Sequence, residues 1–335
     1  DDFYTYANGT WLKKNPIPPE ESRWGSFNAL IEKNAAALKV VAENAAKKTG
    51  ADAAPDGQKV GDYYASGMDE KAIDAAKATP LDEEFKKIEA ISDPEGMLKE
   101  VAHLHTLGVS ALFGFTSGQA DKNSSMNISQ AYQGGLGMPD RDYYTKEDDA
   151  SKKIRAAYVE HVTKMMTLMG DPAPKAAEEA KAVLAVETGL AKPARTRVEL
   201  RDPQKNYNKM SMVDLQAMMP NWNWMVYFRE IGLENPGDIN VGQPDFFKGM
   251  NDLVRSASLD AWKTYLRWHL IHAAAAELSS DFVNENFKFF GNTLTGAKQL
   301  KPRWKRVVSS TDEPLGYGLG NLYGAAYFPP EDRAR

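Results

Sequence analysis

The chain has 335 residues, of which 42% are hydrophobic, 26% charged and 10% aromatic, the balance of an ordinary globular protein rather than a disordered or fibrous one. It contains no cysteine, which excludes disulfides, thiolate zinc sites, iron–sulfur clusters and cysteine nucleophiles together. With 41 Lys and Arg against 46 Asp and Glu, the net charge of -5 argues against a general nucleic-acid or anionic-membrane binder, and no apolar run reaches the roughly 18 residues of a membrane span.

The predicted elements are mostly helical. Pro16, Pro18 and Pro19 stiffen an extended approach, Ser22-Arg23-Trp24-Gly25 is predicted to turn, and Phe27 opens the first long helix. An arginine on such a turn is a good bidentate receptor for a carboxylate. The competing reading packs Arg23 on Trp24 or pairs it with Glu20 or Glu21. From residue 26 to 48, Phe27, Leu30, Ile31, Leu38, Val41 and Ala45 recur mostly at spacings of three and four, and Gly50 stands where the helix would stop. A loop over residues 50–57 follows. His103 and His105, two apart, point to opposite sides of a helix.

The one stretch that reads as β is residues 111–131, a hairpin with a polar turn over residues 117–125. Gly134-Gly135-Leu136-Gly137 leads into Met138-Pro139-Asp140, a turn rather than a phosphate loop. Helices are predicted over residues 151–169, with Ser151 as N-cap and Gly170 as terminator, and over residues 174–190. His161 stands alone. Residues 232–244 are a loop.

In the helix predicted over residues 258–278, Trp262, Leu266, His269 and Ala273 line one face and Tyr265, Trp268 and His272 an adjacent one, so the helix is expected to be buried. His269 and His272 are spaced to share a metal ion, but neighbours as apolar as Trp268, Leu270 and Ile271 favour a core role. Neither H-E-x-x-H nor G-x-S-x-G occurs anywhere. The basic cluster over residues 301–306 reads as a helix face paired with nearby carboxylates. The fold class is mainly α, about a dozen helices with one small β-hairpin and no internal repeat.

Five stretches carry a resemblance, and they occur in family order. DDFYTYANGTWLKKNPIPPEESRWGSF (residues 1–27), GLGMPDRDYY (135–144), RDPQKNYNKMS (201–211), PRW (302–304) and LGYGLGNLYGAAYF (315–328) together resemble the N-terminal region of the neprilysin and endothelin-converting-enzyme family of zinc metallopeptidases. The resemblance is in particular to its cysteine-free bacterial members of the oligopeptidase O type. Ala7 stands where animal members carry Cys.

The resemblance implies a large multi-helix lid that caps a thermolysin-like catalytic domain lying outside this chain. On that reading residues 1–25 are an extended segment and turn reaching the cleft, and residues 26–335 one compact helical lid, incomplete at its C-terminal end. The chain breaks off at Glu331-Asp332-Arg333-Ala334-Arg335, before the family's zinc helix. Zinc in the complete enzyme is bound by two His of H-E-x-x-H and a downstream Glu. These residues are absent here, so the chain holds no catalytic and no metal-binding residue and is expected to be inactive alone.

The carried-over substrate-binding residues are Arg23, which matches an arginine that binds a peptide's terminal carboxylate, Phe27, which matches an aromatic of the primed-side pocket, and Asn28. Asn28 falls where some members carry Asp, and Ile31 where some carry a second Arg, so the carboxylate site is expected to be simpler here. GLGMPDRDYY is expected to be structural, its glycines and Pro139 making a turn and Asp140, Arg141 and Asp142 a local ion-pair and capping network. The implied function is a zinc-dependent endopeptidase acting on short peptides, with the catalytic domain as partner and an exported location. The alternative is a free-standing, non-catalytic peptide- or protein-binding module derived from that lid.

Overall fold

A computed structural model describes residues 2–48, 55–328 and 331. The expected helix stop at Gly50 and residues 50–54 of the loop expected over 50–57 lie outside these, as do Asp1 and residues 332–335; residues 55–57 are not loop but open a helix, with Pro55 at its first position, where a missing N–H costs nothing. In chain order the helices are α1 (Phe3–Lys14), α2 (Ser26–Lys47), α3 (Pro55–Met68), α4 (Glu70–Ala76), α5 (Asp82–Glu89) and α6 (Pro94–Thr106). Strands β1 (Phe113–Ala120) and β2 (Asn123–Gln133) come next, followed by α7 (Asp142–Thr145), α8 (Asp149–Leu168) and α9 (Ala173–Ala191). The chain continues through β3 (Lys209–Met210), α10 (Met212–Met218), α11 (Trp224–Glu230), β4 (Ile239–Val241), α12 (Pro244–Ser256) and α13 (Leu259–Ala274). Helix α14 (Ser280–Asn286), a π-helical stretch (Phe287–Leu294) and α15 (Arg303–Tyr327) complete it.

The mainly helical expectation is met, and the hairpin turns out to be half of a four-stranded sheet. Strands β1 and β2 pair antiparallel, β2 pairs parallel with β4, and β3 closes the sheet antiparallel to β4. The two late strands are three and two residues long, too short to show a period of two in the sequence. In the RDPQKNYNKMS block, the Asn208 amide donates to the Asn240 side chain on β4 at 2.7 Å, which ties that block to the sheet.

Caps explain most boundaries. The Asp148 carboxylate accepts from the Ser151 amide at 2.9 Å, so Asp148 rather than Ser151 caps α8, and Ser151 returns a hydroxyl bond to it at 2.8 Å. Gly170 ends that helix at φ +101, a conformation that favours glycine. Residues 1–25 are not one extended segment. Asp2 accepts from the Thr5 amide at 3.0 Å, and Lys13 and Lys14 sit in the last turn where the helix dipole favours them, so residues 3–14 coil.

The chain divides into two compact units, Asp1–Lys77 with Glu277–Arg335, and Ala78–Ala276, where the sequence reading drew one helical body from residue 26 onward. In the first, Val41, Ala45, Val60 and Leu319 bring α2, α3 and α15 together, beside a second cluster of Ala42, Tyr64, Val307 and Val308. A Cβ at Gly61 would sit 2.6 Å from the Ala45 backbone, so α3 needs glycine there to approach α2. Helix α15 kinks at Pro314, with Leu315 at φ -120 and ψ 19.

The second unit has an aromatic core. Phe113 on β1 meets the rings of Trp222, Trp224, Tyr227 and Phe247 at centroid distances of 5.2–5.8 Å. Helix α13 is buried as its wide apolar arc predicts, with Trp262, Tyr265, Leu266, Trp268, His269, Leu270 and Ile271 all inside.

Candidate functional site

Residues 15–25 link α1 to α2. The hydrogen-bonded turn lies at Pro19-Glu20, closed by the Glu21 amide on the Pro18 carbonyl at 3.0 Å, while Arg23 to Gly25 form no turn and Gly25 is extended, so the turn precedes the predicted Ser22–Gly25 position. Pro19 places it there, because its fixed φ suits the second residue of a turn. The Pro19 carbonyl accepts from the amides of Lys298 and Gln299 at 2.7 and 3.0 Å, which pins the segment to the chain ahead of α15.

The carboxylates beside Arg23 are claimed by other cations. Lys301 pairs with Glu21 at 2.7 Å and Lys305 with Glu20 at 3.4 Å. The basic cluster of residues 301–306 is thus paired with neighbouring carboxylates, as its sequence suggests. Arg23 itself is exposed and forms no hydrogen bond or ion pair with any described residue. Phe27 is 81% exposed, and Leu30 and Ile31, three and four residues on along the same helix face, are 53% and 61% exposed. Asn28 is half-buried, and its side-chain oxygen lies over Gly25, 3.7 Å from where a Cβ there would be. The three predicted residues therefore stand within one helix entrance, with Arg23 and Phe27 open to solvent and Asn28 folded back on the backbone.

The same unit leaves more apolar surface open. No residue of α1 is buried, and Phe3, Tyr4 and Tyr6 are 76%, 63% and 86% exposed. A helix of 12 residues with no buried side chain is marginal in water, and contiguous exposed aromatics are the mark of an interaction surface.

The histidines fall into core or surface roles. His269 Nε2 lies 3.0 Å from Glu187, and His272 stacks on the Trp268 ring at 5.4 Å, with its ring at 88° to that of His269. That pair, enclosed by indole and carboxylate, does not offer an open metal position. Burial, and then the proximity of His269 and His161, holds the His272 imidazole down to about 3. His105 Nε2 faces the Ala111 carbonyl and so carries the proton, which leaves Nδ1 to accept from the Tyr227 hydroxyl, both at 2.7 Å. His103 turns to a different set of partners, Glu84 and Lys87.

The GLGMPDRDYY block is anchored on Glu187 of α9, a residue no motif singled out. This fully buried carboxylate accepts from Tyr144 at 2.8 Å, Tyr158 at 3.0 Å and the Gly137 amide at 3.2 Å, while the Met138 amide donates to Tyr144 Oη at 2.8 Å. A Cβ at Gly137 would lie 2.0 Å from Tyr158 Oη, so only glycine lets the backbone reach the carboxylate. Asp140 accepts from the Asp142 amide at 2.8 Å, but the cations that pair with Asp140 and Asp142 are Arg197 and Lys146. Arg141 takes part through its carbonyl, which accepts from the amides of Tyr144 and Thr145.

Over residues 1–335 the chain matches the N-terminal profile of Peptidase family M13. It is 30% identical to endothelin-converting enzyme 1 of Bos taurus, an alignment covering 99% of this chain and 45% of that protein. It is 28% identical to neprilysin-3 of Drosophila melanogaster, over 99% of this chain and 44% of that one. Among solved structures, zinc metalloprotease ZMP1 of Mycobacterium tuberculosis, in complex with an inhibitor, superposes with a TM-score of 0.92 at 32% identity, covering 98% of this chain and 50% of that chain. The chain thus spans about half the length of the relatives it matches.

Proposed function

The chain belongs to peptidase family M13, and from that premise we propose that it forms the substrate-enclosing lid of a zinc-dependent endopeptidase acting on short peptides. The observation that carries the reading is the open entrance of α2, where Arg23 is left unpaired while its neighbours Glu20 and Glu21 are held by Lys305 and Lys301. A guanidinium fork without a partner among the described residues, on a segment pinned through Pro19, is arranged to take a peptide's terminal carboxylate through two parallel N–H donors. Phe27, four residues on, offers a ring to an adjacent apolar side chain of the peptide. Asn28, folded over Gly25, supports the helix entrance and adds at most one polar contact.

The catalytic zinc belongs to H-E-x-x-H residues that this chain does not carry. When bound there it supplies a water of lowered pKa and polarises the scissile carbonyl. The role of this chain is to bind and orient the peptide's carboxyl end and to restrict access by bulk. Phe3, Tyr4 and Tyr6 of α1 and Leu30 and Ile31 of α2 form the apolar surface that meets the catalytic domain, whether from the same precursor or a second polypeptide. We place the protein outside the cytoplasm, in keeping with the bacterial exported enzymes it resembles; among the described residues no helix is long and apolar enough to cross a membrane.

The test is turnover of a short fluorogenic peptide by the zinc-loaded chain with and without a polypeptide of the same protein bearing H-E-x-x-H. The reading predicts no chelator-sensitive turnover from the chain alone and turnover when both are present. Turnover by the chain alone overturns it.

A further inference from the structure

Where α5 meets α6, three ligand-type side chains converge. Glu84 comes from α5, and Glu100 and His103 come from α6, three residues apart and therefore on one helix face. One ligand-type atom from each lies within 4.8 Å of the others. We propose that Glu84, Glu100 and His103 form a binding site for a divalent transition cation of the zinc type, held entirely by residues of this chain.

Glu100 is the first reason. It is only 7% exposed, and its Oε1 is buried with no hydrogen-bond partner among the described residues. A buried carboxylate oxygen without a partner is costly, and native folds rarely leave one. A carboxylate oxygen of Glu100 lies within 4.8 Å of an imidazole nitrogen and of a second carboxylate oxygen, the donor set that zinc takes. Burial foremost raises the Glu100 carboxyl above its ordinary range, outweighing the opposing pull of His103 and Lys87, so its ionised form is only partly compensated.

His103 is the second. Its Nε2 lies 2.6 Å from Glu84 Oε2 and 3.1 Å from Lys87 Nζ. One ring nitrogen cannot serve both. A protonated Nε2 donates to the carboxylate and then meets the ammonium hydrogens, whereas a bare Nε2 accepts from Lys87 and then meets the carboxylate lone pairs. A cation on the Nε2 lone pair satisfies the imidazole and both glutamates at once.

Lys87 marks the place where positive charge is already favoured, since its ammonium also sits 2.9 Å from Glu84 Oε1. Its side chain is 47% exposed and can swing to solvent as a metal enters. Zinc bonds of about 2.0–2.2 Å put tetrahedral donors roughly 3.4 Å apart, so the site closes by small side-chain rotations rather than by backbone movement. Two carboxylates and a neutral imidazole leave the bound dication electrically neutral. A glutamate and a histidine three apart on one helix, completed by a glutamate from the next, is also a donor pattern that helical metal proteins use.

The experiment titrates Zn²⁺ into the 335-residue chain against a chromophoric chelator, with circular dichroism confirming the fold of each variant. One Zn²⁺ per chain is expected, with His103→Ala and Glu100→Gln each weakening it about tenfold or more. Lys87→Met, which removes the competing ammonium, is expected to tighten binding about threefold or more, a gain that a merely structural lysine would not give. Absence of zinc binding, affinity unchanged in both ligand variants, or weaker binding in Lys87→Met overturns the proposal.

Discussion

Lys301 Nζ lies 2.7 Å from Glu21, and this pair occupies a carboxylate two positions before Arg23 in the chain. The lysine side chain is 43% exposed, so the pair itself contributes little to stability, on the order of 0.5 kcal/mol after solvent screening. Its consequence is for recognition. Lys301→Met frees Glu21 to pair with Arg23 in place of a substrate carboxylate. In the full-length protein it is expected to raise KM for free-carboxylate peptides about threefold to tenfold while shifting the denaturation midpoint hardly at all. A comparison of KM and chemical unfolding on the same variant checks both halves.

Glu187 is expected to be among the most sensitive positions in the second unit. Replacing it with Ala leaves Tyr144, Tyr158, His269 and the Gly137 amide without their shared acceptor in a fully buried place, a loss of roughly 3–5 kcal/mol. Gly137→Ala is expected to destabilise to a similar extent because the added methyl would overlap Tyr158 Oη. Guanidinium unfolding monitored by tryptophan fluorescence measures both.

His272 gives the fold a definite response to acid. Its imidazole is held down to about 3 in the folded protein, against an ordinary unfolded value near 6.5, because burial disfavours its charge. Between those values the unfolded chain binds the extra proton and the folded chain does not, so this group's contribution to stability is complete above about 6.5 and falls as pH drops toward 3. The slope is up to about 1.4 kcal/mol per pH unit. His272→Phe, which keeps a ring on Trp268, is expected to flatten the pH dependence of unfolding by about one proton over this window.

The exposed aromatics of α1 are expected to behave oppositely to the core. Phe3→Ser and Tyr6→Ser should change the stability of the chain by less than about 0.5 kcal/mol, because neither side chain is buried and their mutual ring contact is exposed. The same variants are expected to weaken association with the H-E-x-x-H polypeptide about tenfold or more, measured by titration with the labelled partner.

The parts of this molecule that were legible in sequence are those with a local signature. Helix α13 could be recognised because its apolar arc is too wide for a surface helix, and α8 because Gly170 punctuates a periodic run. Helix α1 lacked such a signature, since a segment with no buried side chain has no apolar stripe, and only the Asp2 cap starts it. Strand β4 was hidden for a different reason. Its pairing with β2 joins residues more than 100 positions apart, so nothing near Ile239 announces it. Sequence placed Arg23 and Phe27 at the helix entrance, but the lysines that occupy Glu20 and Glu21 come from the far end of the chain. The Glu84, Glu100 and His103 cluster likewise exists only because α5 packs on α6.

The central claim is that Arg23 receives a peptide's terminal carboxylate, and kinetics on paired substrates test it most directly. In the full-length protein, kcat/KM is compared for one short peptide with a free C-terminus and for the same peptide amidated, in the wild type and in Arg23→Ala. The account predicts that the substitution lowers kcat/KM about tenfold or more for the free acid and less than about twofold for the amide, with Arg23→Lys recovering only part of the loss because an ammonium cannot form the fork. An equal loss on both peptides would contradict it.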